Sequence, residues 1–336
     1  MNITQTPNLK PDRSKLPFVE RFRPNVLDGI MSHCENIRVL KIYLNRPDIP
    51  HLLFYGPPGT GKTSTIEAFV NELYGHDLVE FMTMNINASE ERGIEVVRNK
   101  IKDFVSTDPI RFGKNGSPKY KFVILDEADA MTLDAQCMLK QVIEYYTDNA
   151  RFCLICNCVK KIEPAIQSRC SVFNFPPMDY DSVRKKIRMI AKETNFTITN
   201  DGIQTLWKLS KGDMRKVLHM LQVIGINNKK IDSDKITKIK NYPTNNEIDN
   251  IYETLLKGNF TNSVSLLKNI TKQKHYSFCD IIAELTLKIS KSIIDKKMDP
   301  IKGANLLTDL RDSEMNLIVT SDTDIQLTSI VSIFTK

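Results

Sequence analysis

A chain of 336 residues with 41% hydrophobic and 26% charged residues is long enough for two or three domains, each with its own core. Its first residues form no apolar leader and no run approaches the roughly 18 apolar residues that span a bilayer, which excludes an integral membrane protein and predicts no membrane partner. The formal net charge of +7 favours a polyanionic partner, although solvated lysines account for it nearly as well, and seven scattered cysteines fit reduced thiols inside a cell.

The first half alternates apolar strand-like runs with amphipathic helical runs, the pattern of an α/β fold in which helices cover a parallel sheet. Strands are predicted from Leu52 to Tyr55, Val79 to Asn85, Phe122 to Leu125, Phe152 to Cys156 and Val172 to Phe175. Helices are predicted near Thr63 to Tyr74, Gly93 to Val105 and Asp134 to Tyr146. Between the first strand and helix lies Gly56-Pro57-Pro58-Gly59-Thr60-Gly61-Lys62-Thr63, a complete phosphate-binding loop. Its glycines let backbone N–H groups turn toward the phosphates of ATP, Lys62 adds a positive charge, and Thr63 offers a hydroxyl to Mg²⁺.

The run Phe122-Val123-Ile124-Leu125 is apolar without alternation, as expected of a strand buried on both faces, and it ends in Asp126-Glu127. Parallel sheets bind ligands at that strand end. Asp126 is predicted to hold Mg²⁺ through its water shell and Glu127 to polarise the attacking water. Asn157 ends the next strand, where its amide can orient the same water or touch the terminal phosphate. Cys153, Cys156 and Cys158 lie close together in sequence, but strand alternation sends Cys153 to one face and the other two to the opposite face, so they read as small buried hydrophobes rather than zinc ligands. Arg169, after a helical turn in Glu163-Pro164-Ala165-Ile166-Gln167-Ser168, has the character of an arginine finger.

Pro176-Pro177 closes this region. From Tyr180 to about Lys240 three short helices are predicted, with breaks at Gly202, Gly212 and Asn227-Asn228. Arg215 opens one of them and can reach over the nucleotide as a small helical domain closes. Asn241-Tyr242-Pro243 marks a further boundary, and the rest is helical in period, as in Ile248-Ile251-Tyr252-Leu255-Leu256 and Ile281-Ile282-Leu285-Leu287-Ile289. The predicted domains are 1–178, 179–240 and 241–336.

From Pro17 to about Val223 these motifs, taken in order, resemble the AAA+ clamp-loader ATPases, and among them the small subunits of replication factor C. The run Pro17-Phe18-Val19-Glu20-Arg21-Phe22-Arg23-Pro24 is similar to the family's adenine-side motif, with Phe where Trp is usual, and implies that Val19 and Arg23 border adenine and phosphates. Asn87-Ala88-Ser89-Glu90-Glu91-Arg92-Gly93-Ile94 resembles a box peculiar to clamp loaders in which Arg92 matches a position facing the central chamber, and Arg92 and Arg98, flanking the start of a helix, are the expected DNA contacts. Ser168-Arg169-Cys170 resembles the motif that gives small subunits a finger acting in trans, and Asn157 and Arg215 match the two sensor positions. Lys140-Gln141 departs from the paired arginines usual there.

The resemblance implies an AAA+ P-loop ATPase domain with a parallel sheet, a small helical lid and an all-α collar, working in a hetero-pentameric ring of clamp-loader subunits that places a sliding clamp on primer-template DNA. Ile110 and Phe112, on a connection flanked by Gly and Pro, are the expected clamp contacts. The alternatives are another AAA+ motor of the branch-migration type and a nucleotide-binding subunit that never hydrolyses ATP. A nucleus is the expected compartment for a eukaryotic chain, and a viral replication site or the cytoplasm for one from a large DNA virus.

Overall fold

A computed structural model describes residues 15–75, 77–91, 93, 95–107, 120–227, 230–317 and 322–335. Contacts divide the chain into Met1–Ile231, unit 1, and Asp232–Lys336, unit 2. Arg92, Ile110 and Phe112 lie outside the described residues.

Unit 1 is built on five parallel strands: β1 (His51–Tyr55), β2 (Thr83–Asn87), β3 (Lys121–Asp126), β4 (Ala150–Cys156) and β5 (Cys170–Asn174), in the order β2-β3-β4-β1-β5. The central strands are buried along almost their whole length, which is why they read as continuous apolar runs. Alternation then divides them between two cores. Leu53, Val123, Leu125, Phe152 and Leu154 pack on one face, and Leu52, Phe54, Phe122, Ile124 and Ile155 on the other. Cys156 joins the first core and Cys153 the second, so the two thiols point apart, and burial pushes the Cys156 thiol up to about 12.

Three sequence expectations shift. Val79–Met82 forms a helical turn rather than the start of a strand, because Gly75, at φ 73°, ends the preceding helix and its carbonyl accepts from the Val79 N–H at 3.2 Å. The segment expected as one helix from Gly93 is wound as π-helix over Val96–Ile101 before α-helix over Lys102–Ser106. Gly202 does not break the chain. It sits in the first turn of the helix Asn200–Ser210, where Thr199 caps by accepting from its N–H at 3.1 Å.

Beyond the sheet, unit 1 continues through the helices Tyr180–Thr194, Asn200–Ser210 and Met214–Asn227, with a parallel two-stranded ladder of Thr197–Ile198 and Lys230–Ile231. The next helix, Ser233–Lys240, groups with unit 2 rather than with the block expected to end near Lys240.

In unit 2 the helices Asn245–Leu256, Phe260–Lys274, Phe278–Ile294, Pro300–Leu317 and Thr323–Thr335 share one apolar core. Ile248, Ile251, Tyr252 and Leu255 supply one face and Ile281, Ile282, Leu285 and Ile289 another, at helical spacing. Leu256 and Leu287, counted with these from the sequence, are exposed. No described helix is long and apolar enough to cross a membrane.

Candidate active site

The C-terminal ends of β1, β3 and β4 meet the following helices at a cleft lined by Pro58 to Ser64, Asp126, Glu127, Asn157 and, from the helical block, Met214 and Arg215. The loop needs its glycines for stated reasons. Gly56 and Gly59 have φ of 147° and 72°, and a Cβ on Gly56 would collide with the Phe175 carbonyl, one on Gly59 with the Asp213 carboxylate. Gly61, at φ 95°, turns the chain into the helix Lys62–Tyr74, whose first residues line the cleft.

Lys62 is buried, and its Nζ donates to the Gly56 and Pro57 carbonyls at 2.7 and 2.8 Å and to Asn157 Oδ1 at 3.2 Å. Burial holds this ammonium below the ordinary lysine range, Asp126 opposes the shift and Arg215 adds to it. Gly56 and Pro57 are not among the residues lining the cleft, and their carbonyls hold Lys62. Thr63 Oγ1 donates to Asp126 Oδ2 at 2.7 Å. A hydroxyl and a carboxylate brought together beside a phosphate-binding loop are hard oxygen donors, a set that fits Mg²⁺.

Glu127 has φ 53°, a left-handed conformation uncommon for a side-chain-bearing residue, and its N–H donates to Asp126 Oδ1 at 2.9 Å. Glu127 lines the cleft together with Asp126. The Asn157 N–H donates to Asp129 Oδ1 at 3.4 Å, so the same acidic box that supplies Asp126 and Glu127 also ties down the end of β4.

Val19 and Arg23 reach the same cleft, as does Phe22. The Arg23 guanidinium is engaged by both oxygens of Glu67, at 2.9 and 2.7 Å, and by Glu20 at 3.0 Å. Burial would lower its pKa, but Glu67 and then Glu20 more than offset that and raise it. The helical block is latched to the loop by a backbone bond from the Met214 N–H to the Gly59 carbonyl at 3.0 Å, and to the segment after β5 by one from the Met178 N–H to the Gly212 carbonyl at 3.1 Å. Asp213 caps the helix carrying Arg215 by accepting from the Lys216 N–H at 3.2 Å.

Arg169 is not among the residues lining this cleft. It lies between the short helix Pro164–Gln167 and β5, paired with Glu144. Arg98 is exposed on the π-wound segment.

Several residues at the site carry no motif. His33, at φ 56°, donates from Nε2 to the Thr60 carbonyl at 3.1 Å and packs edge-on against Phe175, and burial lowers its pKa. Lys186 lines the cleft from the helix Tyr180–Thr194, and burial lowers its pKa too. Asp213 could have been found as a capping residue after Gly212. His33 and Lys186 could not, since only the fold brings them near the loop, and Glu67, in the helix that follows the loop, meets Arg23 only on folding.

Residues 52–178 match the ATPase family associated with various cellular activities (AAA), and residues 243–332 match the replication factor C C-terminal domain. Replication factor C subunit 5 of Homo sapiens is 38% identical over 319 residues, covering 95% of this chain and 91% of that protein. The chain belongs to the replication factor C small-subunit family. The match extends to Archaea: the replication factor C small subunit of Archaeoglobus fulgidus is 41% identical over 272 residues, covering 81% of this chain and 83% of that protein. Among solved structures, the Thermotoga maritima RuvB Holliday junction branch migration motor aligns with a TM-score of 0.51 at 15% identity, over 74% of this chain and 85% of that one, which shows the shared fold alone. The chain is thus a nucleotide-binding ATPase subunit of a clamp loader, assembling with other clamp-loader subunits, and the branch-migration and non-hydrolysing alternatives are not favoured.

Proposed function

We propose that this subunit hydrolyses ATP in its own cleft and lends Arg169 to a neighbour's. The observation that carries the reading is the convergence of Lys62, Thr63, Asp126, Glu127, Asn157 and Arg215 on one cleft, with Arg169 outside it. The loop from Gly56 to Thr63 cradles the phosphates, with Lys62 leaving its carbonyl acceptors for the terminal phosphates. Glu127, which lines the cleft, takes the proton of the attacking water, while Asn157 orients the same water. Thr63 and Asp126 would hold Mg²⁺, which when bound neutralises charge on the phosphates. Val19 and Arg23 border the base and phosphates, and Arg215 reports the nucleotide to the lid, residues 179–240.

In this reading residues 241–336 form the collar of a hetero-pentameric ring that opens a sliding clamp, sets it on primer-template DNA and acts in the nucleus, as its eukaryotic relatives suggest. The relatives give the viral alternative no support. Arg98 supplies one DNA phosphate contact. The Arg92, Ile110 and Phe112 assignments rest on sequence alone.

The test is a reconstituted ring given a fluorescent clamp and primer-template DNA. With Glu127→Gln in this subunit the ring binds both and releases them at least tenfold more slowly, an order-of-magnitude expectation for loss of a general base. Release at the unmodified rate overturns the reading. Arg98→Ala lowers the salt slope of DNA binding by about one unit, and an unchanged slope removes Arg98 from the DNA surface.

A further inference from the structure

Arg169 stands on a fixed base. Gln136, from the helix Leu133–Tyr145, donates through Nε2 to the Lys161 carbonyl at 3.1 Å and accepts at Oε1 from the Glu163 N–H at 2.8 Å. Gln167 donates to the Val159 and Ile162 carbonyls at 3.0 and 2.7 Å. The backbone below Arg169 is therefore held from both sides, and the remaining freedom lies in its long side chain.

That freedom is limited by two acceptors. Arg169 Nη1 donates to the Ala165 carbonyl at 2.6 Å, and Nη2 donates to the Glu144 carboxylate, forming an ion pair. The side chains of Arg169 and Glu144 are 37% and 43% exposed. A pair this exposed adds little to folding stability, because solvent screens it and two flexible side chains must be ordered. Its effect on direction is another matter. A guanidinium has five N–H donors in a rigid plane, so two acceptors on one side fix the plane and leave other donors facing outward.

We propose that Glu144 is a positioning residue for Arg169, setting the guanidinium in the orientation in which it meets the neighbouring subunit's nucleotide. This rests on the reading of Arg169 as a trans-acting finger. Glu144 belongs to the helix that follows the acidic box, so the finger is oriented by an element of the protein's own ATPase core rather than by the neighbour it serves. Ordering the side chain before contact makes the approach to the transferring phosphoryl group a matter of docking alone.

The experiment uses reconstituted rings in which the neighbour's site is the one left competent for hydrolysis, and compares Glu144→Ala, Glu144→Gln, Arg169→Ala and the Glu144→Ala/Arg169→Ala double variant. Arg169→Ala is expected to slow the neighbour on the order of 10³-fold. Glu144→Ala lowers the neighbour's kcat about tenfold at unchanged KM for ATP, since orientation matters in the transition state and not in ground-state binding. Glu144→Gln keeps an acceptor oxygen at the same reach and retains most of the rate. In the Arg169→Ala background Glu144→Ala adds nothing, because there is no guanidinium left to orient.

If Arg169→Ala slows the neighbour and Glu144→Ala does not, or speeds it, the positioning role is overturned. The same holds if Glu144→Ala costs as much with Arg169 absent, which would assign the loss to the helix. Should Arg169→Ala itself leave the neighbour unchanged, the finger reading fails first.

Discussion

The two units differ in where their irregular backbone lies. In unit 1 nine described residues have positive φ, and while Gly75, Asn195 and Lys211 cap the ends of helices as their counterparts in unit 2 do, four others, Gly56, Gly59, Gly61 and Glu127, gather at one end of one sheet. In unit 2 such residues are scattered: Asn241 and His275 cap the ends of helices, and Gly258 and Lys296 follow the ends of two others. A helix must stop somewhere, and a left-handed residue is the ordinary way to stop it. The four gathered beside buried polar side chains in unit 1 terminate no helix. Gly59, Gly61 and Glu127 line one cleft, as residues of a ligand site do.

This contrast breaks first at the chemistry. Lys62→Ala and Glu127→Gln should both abolish turnover, with losses on the order of 10² to 10⁴-fold, and should differ in binding. Nucleotide titration should find affinity lost with Lys62→Ala and kept with Glu127→Gln. Equal affinity losses in both would mean that Glu127 serves the loop's structure and not the water.

In unit 2 the expected damage is to stability. Leu285 is fully buried in the helical core, and Leu285→Ala should cost about 2–5 kcal/mol through lost burial and a residual cavity. A urea melt followed by probes in each unit should show unit 2 shifting while nucleotide affinity holds. A parallel fall in affinity would contradict the separation.

The smallest effect sharpens the comparison inside the sheet. His51 accepts from the Phe152 N–H at Nδ1, 3.2 Å away, and burial followed by the Arg151 charge depresses its pKa to about 4. A protonated imidazole cannot accept there. The folded state therefore takes up this proton at lower pH than the unfolded chain, whose ordinary value is near 6.5. The associated stability is complete above about pH 6.5 and is lost as pH falls toward 4, up to about 3 kcal/mol. His51→Asn should flatten that acid limb in unfolding experiments across the same window, and an unchanged limb would place the titration elsewhere.

What the sequence made legible follows the same division. The phosphate loop and the acidic box could be read because their chemistry demands particular residues at fixed spacing on a strand end. Val79–Met82 could not be told from a strand, because a short apolar run suits either and the deciding contact comes from Gly75. Leu256 and Leu287 match the helical period yet face outward, since spacing marks a stripe without saying how wide the covered part is. Glu67 on Arg23, His33 on Thr60 and Glu144 on Arg169 join residues far apart in the chain, and only folding pairs them.

In the proposed reading catalysis depends on assembly, because the cleft is lined by the loop, Asp126, Glu127, Asn157 and Arg215 but not by Arg169, and the finger would come from another subunit. Single-turnover hydrolysis should be measured on the isolated chain saturated with ATP and on the same chain in a ring where only its site is competent. The predicted result is binding in both states, with hydrolysis faster in the ring on the order of 10³-fold. Turnover by the isolated chain at the rate of the ring would contradict it.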